Sequence, residues 1–403
     1  MKTRKHRSDL MILFSVLALI AIGLVVIYAI GPMRANVLNS AYGANYDSNY
    51  FFWHQLISVI VGVAAFFVAF FVPYKKVFKI SKWIMLAGLF ASLMLFVMSY
   101  IGKSMVKCEL GACRWFAVGG ISFQPAELLK LGLVLYLPSL IKKKKEEGTF
   151  GSLKEFWLPI AVVVGLSLFF VVVLQKDLGT GVVLLAISVA IIFASGVPLR
   201  QFLAMLAIVG AAGVLAIAFS SHRMERLTTF LGGGDADSNY HIDNAKIAIG
   251  TGGLFGVGIG NSVQATGYLP ESINDSVFAI MGETFGFVGL MFVMLIFVAI
   301  PIRLLKVSEG TADAEGRLAT VGVFAWFLTH VIVNVAAMTG LIPLTGITLP
   351  LLSYGGTSIA FMALALGLTL QLSCYTSREV KDEDTSSGRG LRGSHYSSRR
   401  RRS

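Results

Sequence analysis

The chain has 403 residues, of which 56% are hydrophobic and 14% charged, and its formal net charge is +12. An ordinary soluble domain carries roughly a quarter of its residues as charges, so a polytopic membrane protein is the class that remains. The basic excess must be placed relative to the membrane before it can be read as a nucleic-acid signal.

Apolar runs of about 20 residues recur from end to end, which argues for helices rather than a β-barrel. The expected fold is an all-α polytopic membrane protein with about ten transmembrane helices and a large extracytoplasmic loop between spans 7 and 8. The spans are read at 10–31, 51–72, 80–101, 124–141, 156–175, 178–195, 200–219, 275–301, 318–340 and 357–375. Residues 1–9 form a cytoplasmic N-terminus, and Leu10–Ile30 lacks a small-residue cleavage site, so no cleavable signal peptide is expected. With both termini cytoplasmic, all but nine of the 34 Lys and Arg fall on inner segments. The exceptions are Arg34, Lys103, Lys107, Arg114, Lys130, Lys176, Arg223, Arg226 and Lys246. That asymmetry sets the orientation in the cytoplasmic membrane, and the long outer loops, with Asp275 at the end of the largest, make the extracytoplasmic face the working face.

Cys108 and Cys113 share the loop 102–123. Two unpaired thiols is the preferred reading, with a bridge as the alternative if the loop faces an oxidising compartment. Arg114-Trp115-Phe116 follows, then Phe123-Gln124-Pro125-Ala126-Glu127-Leu128-Leu129-Lys130. Pro125 suits the first turn of a helix, and Glu127 and Lys130, three apart, share a face. They either line a polar cavity or form a buried ion pair that fixes helix packing. Lys142–Lys145 reads as an inner-face anchor at anionic lipid.

Asp177, in the tight turn after Gln175-Lys176, either caps the next helix or pairs with Lys130 across the bundle. In the loop at about 220–274, Arg223, Arg226 and Lys246 either bind phosphate by charge-assisted hydrogen bonds or are solvated charges. A short amphipathic segment is expected around Ile242–Ile249. The run Gly250–Gly260 lacks the Gly-Lys-Ser/Thr end of a phosphate loop, so its glycines read as permitting a flexible or closely packed turn. No His/Cys cluster has zinc spacing and no Gly-x-Ser-x-Gly elbow occurs.

The chain then reaches Leu269-Pro270-Glu271-Ser272-Ile273-Asn274-Asp275-Ser276, which runs into an apolar helix holding Glu283. Asp275 is expected at the first turn of that helix, either as its N-cap or as a functional carboxylate; Glu283 is expected on roughly the same face, deeper in the bilayer. The last outer loop, 341–357, carries Pro343-Leu344-Thr345-Gly346 and Ser353-Tyr354-Gly355-Gly356. Residues 376–403, ending in Arg399–Arg402, read as a disordered basic cytoplasmic tail.

Taken in order, these motifs resemble the SEDS family, the FtsW/RodA/SpoVE proteins, over residues 10–375. To them the resemblance adds Asp177-Leu178-Gly179-Thr180 and Lys246–Gly256. It implies a peptidoglycan glycosyltransferase that polymerises lipid II at the outer membrane face. The implied partners are a class B penicillin-binding protein, which supplies the transpeptidase, and other division proteins. Asp275 falls on the family's catalytic aspartate. Arg114, Glu127, Lys130, Asp177, Arg223, Arg226, Lys246, Glu283 and Ser353 form the expected substrate-binding set. A divalent cation, magnesium or manganese, is the one cofactor envisaged, with Asp275 as a possible ligand and no organic cofactor. Departures from the family pattern are Lys176 for Pro, His241 for Gln, Thr284 for Glu, His222 for Tyr and His330 for Gln. The charged N-terminus and basic tail lean towards a division protein.

The reaction would need a carboxylate base for an acceptor sugar hydroxyl and positive charge for a leaving pyrophosphate. A lipid II flippase is the alternative, since ten spans and intramembrane charges suit it too; a scaffold without chemistry is a third reading. Inverted repeats or broken helices in paired positions would favour the flippase, and none is evident in the sequence.

Overall fold

In hydrocarbon every backbone N–H and C=O needs an internal partner, so the apolar runs cross as helices. The computed structural model describes residues 8–101, 105–109, 112–118, 121–218, 224, 228 and 236–375. Its helices are α1 (Leu10–Tyr42), α2 (Tyr50–Phe71), α3 (Tyr74–Lys79), α4 (Ser81–Ile101), α5 (Pro125–Glu146) and α6 (Leu158–Leu168). They continue as α7 (Leu178–Ala194), α8 (Leu199–Ala218), α9 (Ala236–Thr251), α10 (Val277–Gly310), α11 (Ala314–Met338) and α12 (Gly356–Ser373). Wide π turns extend α6 at both ends, to 153–174.

Among the described residues, seven segments are long and apolar enough to cross a membrane, and α7 and α8 are shorter apolar helices. With α5 these make ten, at the expected places. The lysines at its end lower the hydropathy of α5, yet it is central: Leu129, Leu133, Val134, Leu135 and Leu137 are fully buried. Around it, α11 and α12 bury 56% and 67% of their most apolar stretch, against 22% for α4 and 22% for 153–174. The first pair is therefore interior and the second faces lipid. A side chain at Gly367 would collide with the Phe66 carbonyl, so α12 and α2 meet backbone to backbone.

α1 is capped by Asp9, whose carboxylate accepts from Met11 N (3.1 Å), and runs for 33 residues. At 1.5 Å per residue that is about 50 Å, well beyond the ~30 Å hydrocarbon layer. Its last turns, with Arg34, stand beyond the span read from sequence.

The other end of the bundle gathers both ends of the described chain. Arg303 holds Asp9 (2.6 Å), and Asp9 N donates to Ser373 Oγ (2.9 Å). Lys142 pairs with Glu315 (3.0 Å), Lys144 with Glu147 (2.7 Å), and Lys145 donates to the Ser195 carbonyl (2.5 Å). Most of the lysine run thus has protein partners, which the reading as a lipid anchor did not foresee. The partner of Lys144 shows it electrically: Glu147, against that ammonium, is held below the usual carboxylate range.

Two features correct the sequence reading. The loop 102–123 contains a three-stranded antiparallel sheet, β1 (Val106–Glu109), β2 (Ala112–Val118) and β3 (Ile121–Phe123), the one departure from an all-helical chain among the described residues. Its register sets Cys108 opposite Cys113, with Cα atoms 4.0 Å apart, and the two are joined as a disulfide rather than left as free thiols.

The second is a broken span. Gly286 in α10 adopts φ 66°, ψ −170°, outside the helical region. The break frees the carbonyls of Glu283 and Thr284 and the N–H groups of Phe287 and Val288. The glycine-rich turn after α9 takes up all four: Val257 and Gly258 donate to those carbonyls (2.9 and 3.1 Å), and Gly253 and Leu254 accept from those amides (2.9 and 3.1 Å). A Cβ on Gly256 would strike the Thr284 carbonyl. Close packing, not phosphate binding, is what the glycines serve.

Candidate active site

Asp275 lies at the end of the bundle opposite Asp9 and Arg303, in a turn fastened from several sides. Leu269 and Ile273 are buried and anchor it. Within it, the Glu271 carbonyl accepts from Asn274 N (3.0 Å) and Ser276 N (3.2 Å), and Glu271 takes a left-handed φ of 49°. The Glu271 carboxylate accepts from Arg34 of α1 (3.2 Å) and from the Asn274 amide. The Ser276 hydroxyl donates to Pro270 O (2.8 Å), so its oxygen accepts from His241 Nε2 of α9 (2.8 Å). Tyr354 N donates to Ile273 O (2.9 Å). Burial, with Tyr50 and Tyr46 nearby, pushes the Tyr354 phenol up to about 12.

α10 begins at Val277, flanked by Ser276, and no side chain caps it there. Asp275 is therefore not the N-cap, nor in the first turn as expected from sequence; it sits just before the helix. Its carbonyl accepts from Asn334 of α11 (2.7 Å), and a side chain at Gly346 would begin 4.0 Å from its Oδ2.

The loop Thr345–Thr348 is where the separate motifs meet. Gly346 abuts Asp275, and the Ile347 carbonyl shares Asn334 with it (2.7 Å). A Cβ on Gly179 would lie 2.7 Å from Thr345 O, so the first turn of α7, capped by Asp177, lies against the same loop. Thr348 O accepts from His330 Nδ1 (3.1 Å). With Nδ1 carrying the proton, His330 Nε2 accepts from Lys130 Nζ (3.2 Å). Lys130 also bonds Glu127 (2.7 Å) and lies 5.1 Å over the Trp326 ring.

Of the two readings of Asp177, capping of the next helix holds and pairing with Lys130 does not. Asp177 caps α7 through Thr180 N and Thr180 Oγ1 (both 2.9 Å) and accepts from Gln124 Nε2 (3.4 Å). Arg114, on β2, donates to Lys176 O (2.9 Å) and stands 4.0 Å from Asp177. Lys130 instead directs its ammonium to Glu127, three residues away on its own helix, and to His330.

Two other predicted residues turn to scaffold contacts. Glu283 is buried, and its carboxylate accepts from Ser262 Oγ, Val263 N (3.0 Å) and Gln264 N (3.2 Å), pinning the turn Gln264–Thr266. Ser353 Oγ accepts from Leu349 N (2.9 Å), and its carbonyl from Gln55 (3.2 Å). Lys246 is exposed on α9 and lies across Gly340 at the end of α11. Arg223 and Arg226 lie outside the described residues, as do His222 and the tail 376–403.

Sequence reasoning missed Asn334 as a site residue and noted His330 only as a departure. Both lie on α11 one turn apart, and a polar pair at i, i+4 in an apolar span was the available signal. Gln175 was likewise passed over: it is 1% exposed, and neither side-chain amide atom finds a hydrogen-bond partner among the described residues. The second carboxylate oxygen of Glu127 is in the same position. Buried polar atoms left over in this way call for water or a polar ligand.

The comparisons agree with this architecture. Residues 9–378 match the FtsW/RodA/SpoVE model, described as cell cycle protein. The chain is 34% identical to stage V sporulation protein E of Bacillus subtilis over 93% of its own length and 100% of that protein. It is also 34% identical to a probable peptidoglycan glycosyltransferase FtsW of Coxiella burnetii, over 91% and 96%. Its fold is similar to a chain of a solved peptidoglycan synthase complex (TM-score 0.70, 24% identity, 91% and 97% covered). It is similar too to the rod shape determining protein RodA of Thermus thermophilus (TM-score 0.63, 24% identity, 92% and 98% covered). The chain belongs to the FtsW/RodA/SpoVE family.

Proposed function

We propose that this protein is a peptidoglycan glycosyltransferase that polymerises lipid II at the outer face of the cytoplasmic membrane, both termini being cytoplasmic. The observation that carries the reading is the convergence on Thr345–Thr348 of Asp275, the Asp177 turn with Arg114, and the Lys130–Glu127 pair. The relatives named as glycosyltransferases support it.

In this role the Asp275 carboxylate accepts the proton of an acceptor sugar hydroxyl as that oxygen attacks the anomeric carbon. The bond to the lipid pyrophosphate breaks, and positive charge receives the leaving group. Lys246 is an exposed residue suited to that purpose, whereas Arg114 already spends N–H donors on carbonyls. Arg223 and Arg226 fall to the same role by sequence. No three His, Cys, Asp or Glu side chains gather as a metal cluster among the described residues. Magnesium held by one carboxylate and substrate phosphates needs no such cluster. In the alternative role Asp275 would hold such an ion instead of taking the proton, and the ion's charge would offset that of the pyrophosphate. The partner is a class B penicillin-binding transpeptidase, a reading that the similarity to a synthase-complex chain supports.

The flippase alternative loses ground on the broken helix. Transporters use freed backbone groups at such breaks to bind ions or substrate; in α10 the protein itself occupies all four.

The test is glycan polymerisation by the purified protein with its cognate transpeptidase, lipid II and a divalent cation, followed on a gel. Wild type makes polymer and D275A loses at least about 100-fold, the scale of a general base. Equal polymer from both would remove Asp275 from the chemistry. No polymer from a folded, partnered wild type would return the flippase to the front.

A further inference from the structure

We infer that Asn334 is a positioning residue for the reaction: its amide clamps the Asp275 carbonyl to the Ile347 carbonyl and so fixes the carboxylate against Thr345–Thr348. This rests on the reading of Asp275 as the base. Asn334 is 1% exposed, one turn from the C-terminal end of α11 and one turn beyond His330. Its Nδ2 donates to both carbonyls at 2.7 Å. A flipped amide would set oxygen against two carbonyl oxygens, so the orientation is unambiguous.

The two carbonyls belong to segments far apart in sequence, one before α10 and one between α11 and α12. Asn334 bonds both from a single nitrogen, and its own Oδ1 has no hydrogen-bond partner among the described residues. Leaving that oxygen buried is unfavourable. A residue kept only for helix packing would gain from an apolar side chain here. The amide makes sense as a device that holds two loops at one spacing. Asp lacks the N–H pair, Ser and Thr are too short to reach both, and Leu offers no donor. Arg34 and His241 fasten the same turn through Glu271 and Ser276. Asn334 is the side chain whose hydrogen bonds join the Asp275 backbone to Thr345–Thr348.

A misplacement of about 1 Å of a reacting group costs on the order of 100-fold. N334L should therefore lower kcat by about 10- to 100-fold with KM for lipid II within about twofold, and N334D, which when neutral keeps at most one donor, should fall between. Both readouts are normalised to folded, transpeptidase-bound protein. The clamp is also read without activity. Spin labels at Y268C and L341C, whose parent residues are exposed, should give a narrow distance distribution in wild type and a broad one in N334L. Wild-type kcat with an unchanged distribution overturns the inference. So does a loss that tracks only the fraction folded. If N334L does not fold, N334D decides by the same two criteria. Polymer from D275A would sink the reading of Asp275, and the label distances would still decide the clamp separately.

Discussion

A lysine ammonium at 1% exposure in an apolar bundle is tolerable only when matched, and Lys130 is matched by Glu127, His330 and the Trp326 face. Removing one partner of such a pair leaves the other buried and uncompensated, at roughly 3–5 kcal/mol. K130M should therefore lower the thermal midpoint in detergent sharply, and E127Q/K130M should recover part of the loss. A double variant no better than K130M alone would argue against the pair. Spacing made Glu127–Lys130 legible, because three residues along a helix is a local relation. His330, 200 residues away, was not legible as the third member, because only the folded bundle brings α11 to α5. Lys176 shows the same limit: its φ of 52° is one that a proline ring, fixed near −65°, could not adopt, and nothing local announces that.

Among elements, α10 and the turn 252–266 behave as one unit. Glu283 was grouped with Asp275 because eight residues return to one helix face; its carboxylate instead holds the Gln264 turn. E283Q turns one acceptor oxygen into a donor facing donors, at about 1–3 kcal/mol. It should lower the melting point while polymer yield per folded molecule stays near wild type. A selective loss of kcat would give Glu283 its place in the substrate set. G256A tests the docked turn: its methyl must displace the Thr284 carbonyl, so limited proteolysis should cut within 252–266 faster than in wild type. Unchanged cleavage would mean that the turn has room. The disulfide hairpin is likewise an element-scale fact. Cysteine spacing left bridge and free thiols both open; the strand register that decides between them was not read from the sequence.

At the scale of the whole molecule, the ten helical segments fall where apolar runs of span length predicted, because hydropathy depends on composition alone. What hydropathy does not contain is which helix is interior. α5 scores poorly and is central, while the segment 153–174 scores well and faces outward. The proposed orientation rests on the charge asymmetry, and accessibility checks it. A membrane-impermeant maleimide should label Y268C on intact cells and K143C only after permeabilisation. The reverse pattern would invert the topology and move the proposed chemistry to the wrong side.

The break at Gly286 also bears on how the protein is made. A nascent α10 entering the bilayer by itself would carry four unpaired backbone groups into hydrocarbon, at several kcal/mol each. Residues 253–258, which satisfy them, leave the ribosome before residues 283–288 do. The seal is thus translated ahead of the breach that it closes, and the second half of α10 can be integrated as soon as it emerges.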